Sequence, residues 1–153
     1  VPAEQEHSPS EVFGLCGGAC AIRREAWRAL GGFREDLFMY YEDTDLSWRL
    51  REHGWRVVYA REAVVRHEHA SSSGTDSPMF IRVNARNRIL VAAAHSPAPV
   101  VLQALARTLV RGLRGPRRGP VMTGFAQAVA RLPRELHGRS GASSRRSEPS
   151  RRC

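Results

Sequence analysis

Apolar residues never run together for more than six positions, and the longest run is residues 89–94. A membrane-spanning helix needs about 20, so these residues supply none. Any core must instead come from amphipathic segments that each bury one side. The overall balance, 42% hydrophobic and 25% charged, is that of an ordinary globular chain and excludes wholly disordered and collagen-like classes. Residues 1–4, Val-Pro-Ala-Glu, show no basic stretch leading into an apolar one, so no signal peptide is read there.

The charge is uneven. All 24 basic residues are arginine, beside abundant Ala, Gly and Pro, a pattern of biased base composition that makes the basic balance weak support for nucleic-acid binding. Residues 1–69 hold 9 Arg against 12 acids, and residues 70–153 hold 15 Arg against 3. This predicts a catalytic or binding half joined to a basic half that faces an anionic partner. Three cysteines give no disulfide framework and fit a reducing compartment.

Residues 12–22, small and apolar with Gly14, Gly17 and Gly18, read as a buried strand closely approached by a ligand or another backbone. Residues 24–30 read as a short helix stopped by Gly31. Asp43, Leu46, Ser47 and Leu50 fall on one face of a following helix that Gly54 ends. Residues 55–60 and 63–69 read as strands, the second with Val65, His67 and His69 on one face. Residues 78–94 are predicted helical. Residues 97–114 read as a basic amphipathic helix, with Val101, Leu102, Leu105, Leu109 and Leu113 on one side and Arg107, Arg111 and Arg114 on the other. A further helix over 120–132 is expected to end at Pro133, before a disordered Arg/Ser-rich tail at 138–153.

Three groups could carry chemistry. Glu42, Asp43 and Asp45 crowd a helix start, where acids often serve only as dipole partners. Asp43, however, heads the buried face, and a carboxylate at a cleft mouth can take a proton from a hydroxyl. Phe38, Met39, Tyr40 and Tyr41 are expected to desolvate it. His67 and His69 share a strand face; with Cys16 and Cys20 they invite a zinc reading, though C-x3-C and H-x-H match no usual finger spacing. Gly14, Gly17 and Gly18 fit neither a dinucleotide fingerprint nor a Walker loop and suit close packing beneath a site.

In order, the strings CGGACAIRREAW, GGFREDLFMYYEDTDLSWRLREHGWRVVY and AVVRH resemble the second half of the catalytic domain of family 2 glycosyltransferases of the GT-A type, over about residues 12–95. RNRIL at 86–90 and the later basic helices resemble the C-terminal extension of rhamnosyltransferase-like members. The resemblance implies an α/β fold: the acceptor-side half of a GT-A domain (1–95), a basic helical extension (96–137) and the tail (138–153). It implies inverting transfer of a sugar from a nucleotide-sugar donor to a glycan or lipid-linked acceptor hydroxyl, in cell-wall or surface polysaccharide synthesis.

Residue by residue, Asp43 matches the general base and Glu42 its neighbour, which positions acceptor or base. Gly17 and Gly18, with Tyr41, match residues lining the substrate pocket. Asp45, Trp48 and Arg49 match a segment expected to be structural, and His67 matches a ligand of a divalent ion, Mg²⁺ or Mn²⁺. The family's nucleotide-binding half, which ends in D-x-D, has no counterpart before Val12, and the only D-x-D here is Asp43-Thr44-Asp45. A fragment that is inactive alone is therefore expected. A cytoplasmic place at the inner face of the membrane follows, with the basic helices either in peripheral contact with an anionic bilayer or packed on the domain. No specific nucleic acid is expected. An Arg-rich nucleic-acid binder and a zinc-binding interaction module remain the alternatives.

Overall fold

The computed structural model describes residues 10–66 and 77–145. They fall in two compact units, residues 10–38 with 42–66, and residues 39–41 with 77–145.

In the first unit, β1 (Ser10–Glu11) pairs antiparallel with β2 (Val58–Tyr59), Ser10 opposite Tyr59 and Glu11 opposite Val58. Between them in sequence lie α1 (Arg24–Leu30), a single 3₁₀ turn (Glu35–Leu37) and α2 (Glu42–Glu52). Helix α1 stops where expected, at Gly31 with φ 70°, a conformation that is cheap only without a Cβ. Helix α2 turns Leu46, Ser47 and Leu50 inward, as the spacing predicts. Leu46 and Leu50 form a core with Ala26, closed by Leu15, Ile22, Leu30, Trp55 and Val57.

The expected strand over 12–22 is not formed. Beyond Val12, whose N–H donates to Val57 O at 2.9 Å, the backbone finds side chains instead of a neighbouring strand. Leu15 N–H donates to Ser47 Oγ at 3.0 Å, and Arg51 Nη1 donates to Val12 O at 3.0 Å. Regular pairing also fails over 63–66, where Ala63 N–H turns back to Ala60 O. His67 and His69, the remainder of that predicted strand, lie outside the described residues.

The second unit packs α3 (Pro78–His95), α4 (Ala98–Arg114) and α5 (Arg118–Arg145) together. Ser77 caps α3 by accepting Phe80 N–H at 3.1 Å, and Pro78 occupies its first turn, where its missing N–H costs nothing. Ile81, Ala85 and Val121 form a core cluster with Phe80 against it. Three expectations need correction. Helix α5 runs to Arg145, so residues 138–145, expected to begin a disordered tail, are helical, and the helix continues through Pro133. Proline withdraws one hydrogen bond from the carbonyl four residues back, and Val129 is exposed, so water can serve it. Helix α4 turns Val101, Ala104, Thr108 and Gly112 inward, while Leu102 and Leu113 are exposed. Small residues win this seam because α4 approaches closely: a Cβ on Gly112 would strike Met122.

Candidate active site

Asp43 sits in the first turn of α2, half-buried. Its Oδ2 accepts the Gly17 N–H at 3.1 Å, across 26 residues of sequence. Its Oδ1 accepts the Thr44 N–H at 2.7 Å and the Thr44 hydroxyl at 3.3 Å. Gly17 lies in a tight turn closed by Ala19 N–H on Cys16 O at 3.1 Å, with Gly18 exposed beside it. The glycine turn and the acidic helix start, predicted separately, thus meet. A Cβ on Gly17 would come within 3.3 Å of Asp43 Cβ and Oδ2.

A second link runs underneath. Ser47 Oγ donates to Asp43 O at 2.6 Å and accepts Leu15 N–H. A Cβ on Gly14 would lie 2.5 Å from that hydroxyl, so Gly14 is small because Ser47 is fixed there. Ser47 and Gly14 hold Asp43 in place through the backbone, a role that no motif signals.

Glu42 precedes Asp43. Its Oε2 is buried with no hydrogen-bond partner among the described residues. Burial pushes its carboxyl above the ordinary carboxylate value; a backbone hydrogen bond opposes the rise and the Asp43 charge adds to it. Of the aromatic residues before it, Phe38 is 68% exposed, and Tyr40 packs edge-on against Phe80 at 4.8 Å.

Phe38, Tyr40 and Tyr41 hold φ of 67°, 63° and 70°. Positive φ at an aromatic residue costs about 1–3 kcal/mol and persists only where its surroundings impose it. For Tyr40 and Tyr41, which with Met39 belong to the second unit, Asn87 helps to impose it. Fully buried on α3, Asn87 donates from Nδ2 to Met39 O at 2.8 Å and Tyr40 O at 2.7 Å. The sequence signal was available in an asparagine set among Ile and Leu on a helix.

Asp45 is 0% exposed. Arg49 Nε meets its Oδ2 at 2.7 Å, and Arg34 lies 3.6 Å from Oδ1. Arg49 also donates to Leu30 O and Gly32 O, each at 2.8 Å, binding the end of α1 to α2. Asp45 and Arg49 are structural, as the sequence predicts, and Asp43-Thr44-Asp45 does not present two open carboxylates to a metal. Among the described residues no three His, Cys, Asp or Glu side chains gather to hold an ion, so these residues alone do not fit a metal site. Cys16 and Cys20 are exposed free thiols. His67, the predicted ligand, lies outside the described residues. Two surface hollows, one lined by Pro78, Met79, Arg82, Pro120 and Thr123 and the other by residues of 111–121, include none of the predicted site residues.

The sequence profile described as Glycosyltransferase like family 2 matches residues 6–92. The chain belongs to that family. Over 96 residues this glycosyltransferase-family chain is 38% identical to the N-acetylglucosaminyl-diphospho-decaprenol L-rhamnosyltransferase of Mycobacterium tuberculosis, in both strain CDC 1551 / Oshkosh and strain H37Rv. The match covers 61% of this chain and 31% of each relative, so it spans about a third of their length. No solved structure gives a significant match. Membership implies the GT-A fold; the described residues are mostly helical with one two-stranded ladder, so the α/β expectation is met in part.

Proposed function

We propose that residues 1–95 form the acceptor-side part of a GT-A sugar-transfer site, followed by a helical extension that α5 carries to Arg145 and by the end of the Arg/Ser-rich tail. The observation that carries this reading is the bond from Gly17 N–H to Asp43 Oδ2, which joins a small-residue turn to an acidic helix start at the surface. On this reading Asp43 is the general base. Its Oδ2, which accepts only the Gly17 N–H among the bonds described, keeps a lone pair that can accept the proton of an acceptor hydroxyl. The hydroxyl oxygen attacks the anomeric carbon from the face opposite the leaving group. The new C–O bond forms as the bond to the nucleoside diphosphate breaks, with inversion, and the diphosphate leaves with the electron pair. Gly17 and Gly18 leave room for the sugar. Glu42 and Tyr41 are the residues proposed to contact the acceptor.

The relatives' name gives a sugar on diphospho-decaprenol as acceptor and L-rhamnose as the sugar transferred. We extend that class to this chain: a nucleotide-sugar donor and a lipid-linked or glycan acceptor, used in cell-wall or surface polysaccharide synthesis at the inner membrane face. The family's divalent ion, Mg²⁺ or Mn²⁺, would neutralise charge on the leaving diphosphate, and His67 is the residue of this chain proposed for it.

The test is a chimera. Residues 6–92 replace the matching stretch of the mycobacterial relative, and rhamnosyl transfer to its polyprenol-linked acceptor is measured. Transfer at a measurable fraction of the parent's rate supports the reading. A folded chimera that binds donor but transfers nothing contradicts it.

A further inference from the structure

Helix α4 buries a narrow seam of small side chains and leaves its larger apolar ones outside. Thr108 is tied into the seam: its hydroxyl donates to Ala104 O and receives Arg88 Nη2, each at 2.6 Å. Outside the seam, Leu102 is 64% exposed, Val110 47% and Leu113 56%. With Ala106 these residues recur at helical spacing as one stripe, shouldered by the half-buried Leu105 and Leu109. Beside the stripe the exposed Arg107, Arg111 and Arg114 form a second. No acid occurs between Ser96 and Arg134, so nothing on this helix or its connection to α5 neutralises them.

We propose that α4 docks on an anionic lipid bilayer, lying in its interface. Leu102, Ala106, Val110 and Leu113 enter among the acyl-chain ends, and the three guanidinium groups hydrogen-bond headgroup phosphates. The charge pattern decides between occupants. A second copy of this face would bring like charges together, because it carries no acid, whereas a phosphate-bearing surface complements the arginines at every position. No described helix is long and apolar enough to cross a membrane, so docking is parallel to the surface. This inference stands apart from sugar transfer, since binding is read without any reaction.

The test sediments the 153-residue chain with vesicles of phosphatidylcholine alone or with about 30% phosphatidylglycerol. Binding to the anionic vesicles is expected, with phosphatidylcholine alone at least about tenfold weaker. The exposed double variant Leu102→Ser/Leu113→Ser should bind anionic vesicles about tenfold or more weakly at unchanged helix content. Arg107→Gln/Arg111→Gln should lose about fivefold per arginine. As a second readout that keeps the stripe apolar, Leu113→Trp should give blue-shifted emission on adding anionic vesicles, relative to wild type. Failure of wild type to sediment, undiminished binding by the serine variant, or no blue shift in the Leu113→Trp variant would overturn the proposal. So would a wild-type dimer in solution that the serine variant converts to monomer, because the face would then belong to a second copy.

Discussion

The two units hold themselves together by different means. Around α1 and α2, Arg49 and Ser47 reach backbone groups of segments far apart in sequence, and the buried Asp45 carboxylate anchors Arg49. Around α3, α4 and α5 the core is chiefly apolar or small, with Ile81, Ile89, Leu90, Val121 and Ala128 buried, and Asn87 and Thr108 are its buried polar groups. The first means fixes irregular backbone at chosen points, which a site for chemistry requires. The second suits regular rods and leaves their outer faces open for other use.

If that contrast holds, removing one polar group from the first unit should cost as much as removing a large apolar one from the second. Asp45→Ala strands the half-buried Arg49 guanidinium and should destabilise by about 3–5 kcal/mol in denaturant unfolding. Leu90→Ala, at a fully buried position, should cost about 2–4 kcal/mol. An Asp45→Ala cost below about 1 kcal/mol would break the comparison. Next comes Gly14→Ala. Its new methyl group meets the pinned Ser47 hydroxyl, so a loss of about 1–3 kcal/mol is expected, and relief by Ser47→Ala in the same chain would sharpen the assignment.

The smallest effect concerns Glu42. A carboxyl whose folded value is raised contributes stability fully present below its unfolded value and lost as pH rises through the folded one. Near neutral pH the charged, poorly solvated form is therefore a burden that Glu42→Gln removes. The variant should melt about 1–3 °C higher than wild type at pH 7 and show no advantage at about pH 4, near the ordinary glutamate value. An equal difference at both pH values would remove the titration from the account.

Much of the helical structure was legible. Ser77-Pro78, Gly31 and the Asp43–Leu50 periodicity each signal a boundary or face through chemistry contained in the segment itself. The loops were not, because their backbone partners are distant side chains. Residues 12–15 look like a strand until Ser47 and Arg51 take the hydrogen bonds a neighbouring strand would have made. The orientation of α4 was also hidden. Counting leucines selects the apolar side, but close helix approach at Gly112 selects the small one. At the site, Asp43 and Gly17 were both visible as residue types, whereas their contact, the Ser47 support beneath and the Asn87 hold on Met39 and Tyr40 depend on the fold.

The central claim is that the Asp43 carboxylate takes the acceptor proton. In the chimera carrying residues 6–92, Asp43→Asn keeps the shape and the Gly17 contact but removes the base. The account predicts a fall in kcat of about 10²–10⁴-fold with donor affinity unchanged. Transfer within about threefold of the unsubstituted chimera would contradict it.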